Sequence, residues 1–358
     1  MSERRTLLRT DLQQHACFQA PPAVQVASLQ DGEIKADTNE NPYGCTPEAR
    51  AALAGVIPSL YPDPSYIQLR EALAAYCGAD AGQVVPGNGA DELIDLVLRA
   101  TLEPGEQAVN LTPTFGMYEF FIRLNRGEVL EVPRDAAFAV PVDGVLQALT
   151  PKTKAIFVCS PNNPSGNLLP RGDLLALLAT GRLVVVDETY YEFCGQTVTP
   201  LLREYPNLAV LRTLSKWAGM AGLRLGYAVL PPDLADLLNR IRPPYNVNAA
   251  ASAAALACLR RPGEALATVE KIVQERARLF ARLQELEFVC PLPSEANFLL
   301  CFIREGPMAS LREFLERRGI WLRWYSGPRL GRAVRITVGR PEHTDRLVAA
   351  LREWRESL

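Results

Sequence analysis

The side chains on which metal centres and disulfide frameworks depend are scarce or scattered in this chain of 358 residues. It has two histidines, His15 and His343, and eight cysteines without a Cys-x-x-Cys, the closest pair being Cys290 and Cys301. That argues against a zinc site and against a disulfide-built fold; free thiols in a reducing cytosol are the expectation. No stretch approaches the roughly 18 consecutive apolar residues of a membrane span. Residues 1–10 carry Arg4, Arg5 and Arg9 but no apolar run, so no secretory leader is expected. A formal charge of −2 leaves no electrostatic footprint for nucleic acid or an anionic membrane. Internal repeats and low-complexity segments are absent as well.

What is present is a large apolar fraction, 48%, in a chain long enough for one large domain and a smaller one. From Gln83 onward a strand-then-helix rhythm sets in. Short strands are expected at 83–85, 107–111 and 128–132, and buried ones at 155–159, 183–186, 208–212 and 223–230. The runs Ala155-Ile-Phe-Val-Cys159 and Leu183-Val-Val-Val186 are apolar throughout, as in parallel strands covered on both faces. Such alternation implies an α/β fold: a mainly parallel sheet with helices on both sides, and a ligand beyond the carboxyl ends of the strands. Past Arg242-Pro-Pro-Tyr245 the composition turns to amphipathic helices and isolated strands, which reads as a smaller α+β domain. We therefore expect residues 1–45 to form an N-terminal arm and part of the smaller domain. A large domain should span 46–245, and the small C-terminal domain 246–358.

One stretch collects unusual chemistry: Thr213-Leu-Ser-Lys-Trp-Ala-Gly-Met-Ala-Gly-Leu-Arg224. Lys216 sits where an apolar scaffold stops, a setting that depresses a lysine pKa and frees its amine to form a Schiff base with an aldehyde. Ser215 and Arg224 supply the hydroxyl and fixed cation that a phosphate needs. A phosphorylated aldehyde requires all three groups, and pyridoxal phosphate is the candidate cofactor. Its ring nitrogen needs a carboxylate to keep it protonated, and Asp187 ends a buried strand in position to provide one. Asn163 and Tyr190 can donate to the ring's phenolate oxygen, and Phe115 can stack on the ring. The loop Gly87-Asn-Gly-Ala-Asp91 opens a helix, so the Ala90 and Asp91 amides offer an anion site. Singly, each of these residues reads more simply as a turn former, a helix cap or core. Their joint placement at successive strand ends shifts the balance.

Ser160-Pro-Asn-Asn-Pro-Ser-Gly166, Val186-Asp-Glu-Thr-Tyr190 and the Lys216 stretch through Gly226 resemble the signatures of fold-type-I pyridoxal-phosphate aminotransferases. Together with Asn39-Glu-Asn-Pro-Tyr-Gly44, Tyr61-Pro-Asp-Pro64, Gly87 to Glu92, Pro244-Tyr-Asn-Val-Asn248 and Arg335-Ile-Thr-Val-Gly339, they resemble the histidinol-phosphate aminotransferase branch. The resemblance runs in order along nearly the whole chain from Asp37. It implies a large domain with a mainly parallel seven-stranded sheet plus a smaller α+β domain, working as a cytoplasmic homodimer with shared active sites. Lys216 would carry the cofactor aldehyde and move the proton. Asp187 would pair with the ring nitrogen, Asn163 and Tyr190 with the phenolate oxygen. The phosphate would be held by the Ala90 and Asp91 backbone, Ser215, Arg224 and Tyr61 of the other subunit. Arg335 matches the family's substrate-anion anchor; Arg323 and Tyr245 match positions that bind the substrate's phosphate, and Asn163 also borders the substrate.

Two segments depart from the branch. Family members often carry a tyrosine in the N-terminal arm, where this chain has Phe18. The loop Trp324-Tyr-Ser-Gly-Pro-Arg-Leu330 is unusually rich in aromatics. The implied reaction is amino exchange between histidinol phosphate and 2-oxoglutarate. An aromatic amino-acid aminotransferase and a decarboxylase of a phosphorylated amino acid are the alternatives. A regulator that senses the cofactor without catalysis would need a DNA-binding module, for which this chain has neither spare length nor basic charge.

Overall fold

A computed structural model of the chain describes residues 9–12 and 32–358. The strands are β1 (Ile34–Ala36), β2 (Val84–Gly87), β3 (Gln107–Asn110), β4 (Glu128–Glu131), β5 (Thr153–Cys159), β6 (Leu183–Asp187), β7 (Leu208–Thr213), β8 (Gly226–Val229), β9 (Val289–Pro291), β10 (Phe298–Ile303), β11 (Ile320–Trp324) and β12 (Ala333–Thr337). Seven of them form one sheet in the order β2-β8-β7-β6-β5-β3-β4. It is parallel except for β8, which runs against both its neighbours.

Alternate residues of these strands go to opposite faces, and both faces are covered. Val184, Val186 and Val210 join the apolar core on one side. Ala155, Phe157, Val185 and Leu211 join the core on the other. The helices are α1 (Pro47–Ala54), α2 (Ile67–Cys77), α3 (Ala90–Thr101), α4 (Met117–Leu124), α5 (Val142–Ala148), α6 (Arg171–Leu178), α7 (Pro232–Ile241), α8 (Ala249–Arg260), α9 (Pro262–Gln284), α10 (Met308–Glu316) and α11 (Pro341–Glu356). That second side receives α3 and α4, through Leu93, Val97, Tyr118 and Ile122. On the first side lie α1 (Pro47–Ala54) and α8 (Ala249–Arg260). The former is capped by the Thr46 hydroxyl accepting from the Ala49 amide, the latter by the Asn248 side-chain Oδ1 accepting from the Ala251 amide. The alanines of α8 let these two helices pack closely.

The second sheet has five strands in the order β1-β11-β12-β10-β9, with the long helix α9 (Pro262–Gln284) and α11 (Pro341–Glu356) contributing to the adjoining core. Its edge strand β1 is far away in sequence and pairs in parallel with β11. Sequence patterning does not reveal β1, a segment too short for a period to emerge, nor β11, whose apolar run is broken by Arg323. The strand expected from residue 223 begins at Gly226. A tight turn at Ala221–Leu223 and a left-handed Arg224, φ 58°, come first.

Behind β6 and β7 lies a buried ion pair. Arg212, 2% exposed, bonds Glu188 at 2.9 Å through Nε and packs its guanidinium over the Tyr191 ring. Its Nη2 also donates to the Thr197 and Thr199 hydroxyls, tying the 197–199 loop to the sheet. All seven described cysteines are free. Among the described residues no helix is long and apolar enough to cross a membrane.

Candidate active site

Three parallel strands end side by side, with Cys159 of β5 paired to Asp187 of β6 and Asp187 to Leu211 of β7. Whatever follows each strand is delivered to the same edge. Facing that edge are β11, β12 and the segment 37–39, and between them lies a cleft of about 550 Å³. Eleven of the residues singled out in the sequence line it: Ala90, Asp91, Phe115, Asn163, Asp187, Tyr190, Ser215, Lys216, Arg224, Arg323 and Arg335.

Lys216 is at the centre. Its amine donates to the Thr38 carbonyl at 2.8 Å. Burial, with the Arg335 cation adding to it, pulls its pKa down to about 8. At pH 7 the folded protein thus keeps roughly a tenth of this amine unprotonated and nucleophilic, far more than an ordinary lysine would. Asp187 is 3% exposed. Its Oδ2 accepts from the Tyr118 hydroxyl at 2.6 Å and its Oδ1 from the Thr189 amide at 2.9 Å. Burial raises the Asp187 pKa, and these donors oppose the rise.

The Tyr190 hydroxyl accepts from Asn39 Nδ2 at 2.9 Å, which leaves its own proton for another acceptor. Asn39 holds a left-handed backbone, φ 58°. The conformation is fixed by the Thr337 hydroxyl, which bonds both its amide and its side chain, and by Asn297 donating to its carbonyl. Arg335, 6% exposed, donates to the Asn163 side-chain oxygen and the Asp37 carbonyl, both at 2.6 Å. Its Nε is buried with no partner. A cation held by neutral oxygens, with a donor left over, is built to receive an anion.

At the other end is a cup. The twelve-residue helix α3 follows Gly89, φ 82°, with no side chain capping its first amides. Arg224 lies against it, Nη2 2.9 Å from Asp91 Oδ2, and Ser215 closes the side, its amide bonded to the Thr213 hydroxyl. Glycine is required at two places here, at Gly89 by its left-handed backbone and at Gly226 by close approach, since a Cβ there would sit 2.5 Å from the Ala90 nitrogen. Uncapped amides, a guanidinium and a hydroxyl around one hollow suit a phosphate. The buried amine of Lys216 suits an aldehyde, and the Asp187 carboxylate suits a protonated ring nitrogen.

Tyr61 and Tyr245 do not line this cleft. They stack on each other at the surface, ring centroids 4.5 Å apart, with Tyr61 81% exposed. Phe18, standing where the branch often has a tyrosine, lies outside the described residues. Sequence reasoning assigned no role to Asn39, Thr38, Tyr118 or Tyr325, all of which touch the cleft or its carboxylate. For Asn39 the signal is the density of turn formers in Asp37-Thr-Asn-Glu-Asn-Pro-Tyr-Gly44. Arg323 and Arg335, twelve positions apart, are direct cross-strand partners on β11 and β12.

Residues 29–351 match the aminotransferase class I and II family. Over 355 residues the chain is 43% identical to the histidinol-phosphate aminotransferase of Dehalococcoides mccartyi, covering 99% of each sequence. It is 42% identical to the chloroplastic histidinol-phosphate aminotransferase 1 of Arabidopsis thaliana, covering 98% of this chain and 86% of that one. The crystal structure of the Sinorhizobium meliloti histidinol-phosphate aminotransferase in complex with pyridoxal-5'-phosphate matches with a TM-score of 0.83 and 26% identity, covering 90% of this chain and 91% of that one. The expected fold type I architecture is therefore the observed one. By sequence over most of its length and by its fold, this chain belongs to the class I and II aminotransferases.

Proposed function

We propose that the protein is a pyridoxal-phosphate-dependent aminotransferase that exchanges an amino group between histidinol phosphate and 2-oxoglutarate, giving imidazole-acetol phosphate and glutamate. Full-length similarity to enzymes of that name supports the reading. The observation that carries it in this chain is the cross-strand pair of Arg323 and Arg335, which lines the same cleft as Lys216. Glutamate brings a carboxylate at each end and histidinol phosphate a phosphate, so one pocket must hold different anions in the two half-reactions. Guanidinium forks do that better than a single lysine.

The cofactor supplies an aldehyde for the amine and a ring that accepts the electron pair released at the substrate carbon. Lys216 would bind the aldehyde in the resting enzyme and, as a free amine, would move the proton between the substrate carbon and the cofactor's aldehyde carbon. Asp187 holds the proton on the ring nitrogen. Asn163 and Tyr190 donate to the phenolate oxygen, and Phe115 covers a ring face. Ser215, Arg224 and the Ala90 and Asp91 amides grip the phosphate. Arg335 fixes the substrate carboxylate; Arg323, with Tyr245 from a second subunit, takes the distal anion.

A homodimer is part of the proposal. Ile57, Leu60, Tyr61, Ile67, Ile241 and Tyr245 are all exposed, at 39–81%. Exposed apolar residues in the segments 57–67 and 241–245, joined by the stack of Tyr61 on Tyr245, favour a protein contact. Tyr61 would then complete the partner's phosphate cup. Mixing Tyr61→Phe with Lys216→Ala protein should restore activity above that of Tyr61→Phe alone, because one site per heterodimer is free of both changes. No gain in proven heterodimers rules out sharing. The unpaired thiols favour a cytoplasmic setting.

The deciding experiment is a panel of amino donors with 2-oxoglutarate. Histidinol phosphate should give a higher kcat/KM than phenylalanine or tyrosine. If phenylalanine is the better donor, the aromatic aminotransferase reading replaces this one; release of carbon dioxide from a phosphorylated amino acid would favour the decarboxylase. Borohydride should fix the cofactor to the peptide that contains Lys216.

A further inference from the structure

Tyr118 has no part in the roles above, yet it makes the shortest hydrogen bond to Asp187, the carboxylate that would pair with the cofactor's ring nitrogen. It is fully buried on α4, and its hydroxyl lies 2.6 Å from Asp187 Oδ2. The ring cannot swing away. Phe157 stacks against it at 5.2 Å, and Phe115 meets it edge-on at 5.7 Å. Phe115 lies three residues before Tyr118, just ahead of α4, and its carbonyl accepts from the Tyr118 amide, so one short segment would reach both the cofactor ring and the carboxylate at its nitrogen.

The direction of the bond is set by the surroundings. Burial, with the Asp187 charge adding to it, raises the Tyr118 pKa well above that of an ordinary phenol, so the hydroxyl keeps its proton and donates. Asp187 has three donors, the side chain and amide of Thr189 and this phenol, and among the described residues it has no ion-pair partner. Cys159, also against Asp187, directs its thiol to the Pro161 carbonyl and gives the carboxylate no proton. The remaining charged neighbours act at longer range: Asp91 opposes ionisation of Asp187, and Arg134 flanks Tyr118 and Cys159 from the far side. In a pair made of a carboxylate and a ring nitrogen, a donor on the carboxylate favours the ionic arrangement, with the proton on nitrogen. Without that donor the carboxylate becomes the more basic partner and draws the proton to itself.

We propose that Tyr118 is a positioning residue that keeps the shared proton on the cofactor's ring nitrogen by donating to Asp187 Oδ2. The inference rests on the functional reading above and deepens it. A merely structural tyrosine would change stability and leave the proton where it is.

The test uses cofactor labelled with ¹⁵N in the ring, bound to wild-type protein and to Tyr118→Phe. In the wild type the nitrogen should resonate as a protonated pyridine. In the variant the signal should move towards the unprotonated position, and cofactor affinity should fall roughly tenfold, the scale of one bond to a charged group. Affinity for an analogue with carbon in place of the ring nitrogen should be the same in both proteins. An unmoved nitrogen signal, or equal loss of affinity for cofactor and analogue, overturns the proposal. If Tyr118→Phe does not fold, 3-fluorotyrosine at position 118 keeps the packing and donates more strongly. Cofactor binding should then tighten, and unchanged or weaker binding overturns the proposal. A wild-type protein that fails to bind the cofactor at all would instead bring down the functional reading, and this inference with it.

Discussion

Two buried arginines lie on adjoining parts of the molecule and are held in opposite ways. Arg212, behind the seven-stranded sheet, is matched by Glu188 and two threonine hydroxyls, and burial's opposition to its charge is more than offset by the oxygens around it. Arg335, in the cleft, is bonded only to neutral oxygens and keeps one buried donor unused. Both are nearly inaccessible, so burial alone does not separate them. The difference lies in the counter-charge. A buried cation with its carboxylate in place is finished as structure, whereas one held by amide and carbonyl oxygens is prepared for an anion that arrives from solution.

Replacing each arginine should break the comparison in a different observable. Arg335→Ala should lower kcat/KM for glutamate roughly a thousandfold, the scale of losing a two-pronged charged contact. Its melting temperature should stay close to that of the wild type. Arg212→Ala should do the reverse, costing about 3–5 kcal/mol of stability because Glu188 is left charged and unpaired. Urea denaturation measures that cost, and turnover per folded molecule should change little. If Arg212→Ala melts normally but is inactive, the distinction fails.

Arg323 provides a finer cut. It is the cross-strand neighbour of Arg335, but only half-buried. Arg323→Ala should weaken use of histidinol phosphate roughly ten- to a hundredfold, as for one charged bond, and phenylalanine much less. Equal losses for both donors would remove Arg323 from the phosphate subsite.

The smallest effect concerns pH. The Arg335 cation is one reason Lys216 has a pKa near 8, since a neighbouring positive charge disfavours the protonated amine. Cofactor capture by the apo protein needs the free amine, so its rate should climb with pH and reach half its maximum near 8. Arg335→Ala should move that midpoint upward, by a fraction of a pH unit; Arg212→Ala should leave it in place. Stopped-flow capture at several pH values separates the two.

The parts of the site that were legible in the sequence sit at the ends of buried parallel strands. Unbroken apolar runs such as 155–159 and 183–186 can be recognised without partners, and Asn163, Asp187 and the Lys216 stretch follow directly from where those runs stop. The same logic placed the parallel sheet. Other parts depend on residues remote in sequence. Asn39 meets Tyr190 across 151 positions and Tyr118 meets Asp187 across 69. Neither contact leaves a local periodicity, because it is made by tertiary packing. Strands β1 and β11 were hidden for a related reason: each is short, and their pairing joins the two extremes of the chain.

That pairing has a consequence for how the protein is made. On a ribosome, every strand of the seven-stranded sheet has emerged well before residue 300. Strand β1, synthesised almost first, must wait for β11 and β12 before it gains its partner. A nascent chain at that stage already carries Lys216, Asp187 and the phosphate cup, but neither Arg323 nor Arg335. Domains generally fold as units during synthesis, so cofactor-holding parts can assemble while substrate-holding parts are still missing. A message that stopped short of residue 323 would therefore yield a polypeptide able to sequester pyridoxal phosphate but unable to anchor an amino donor.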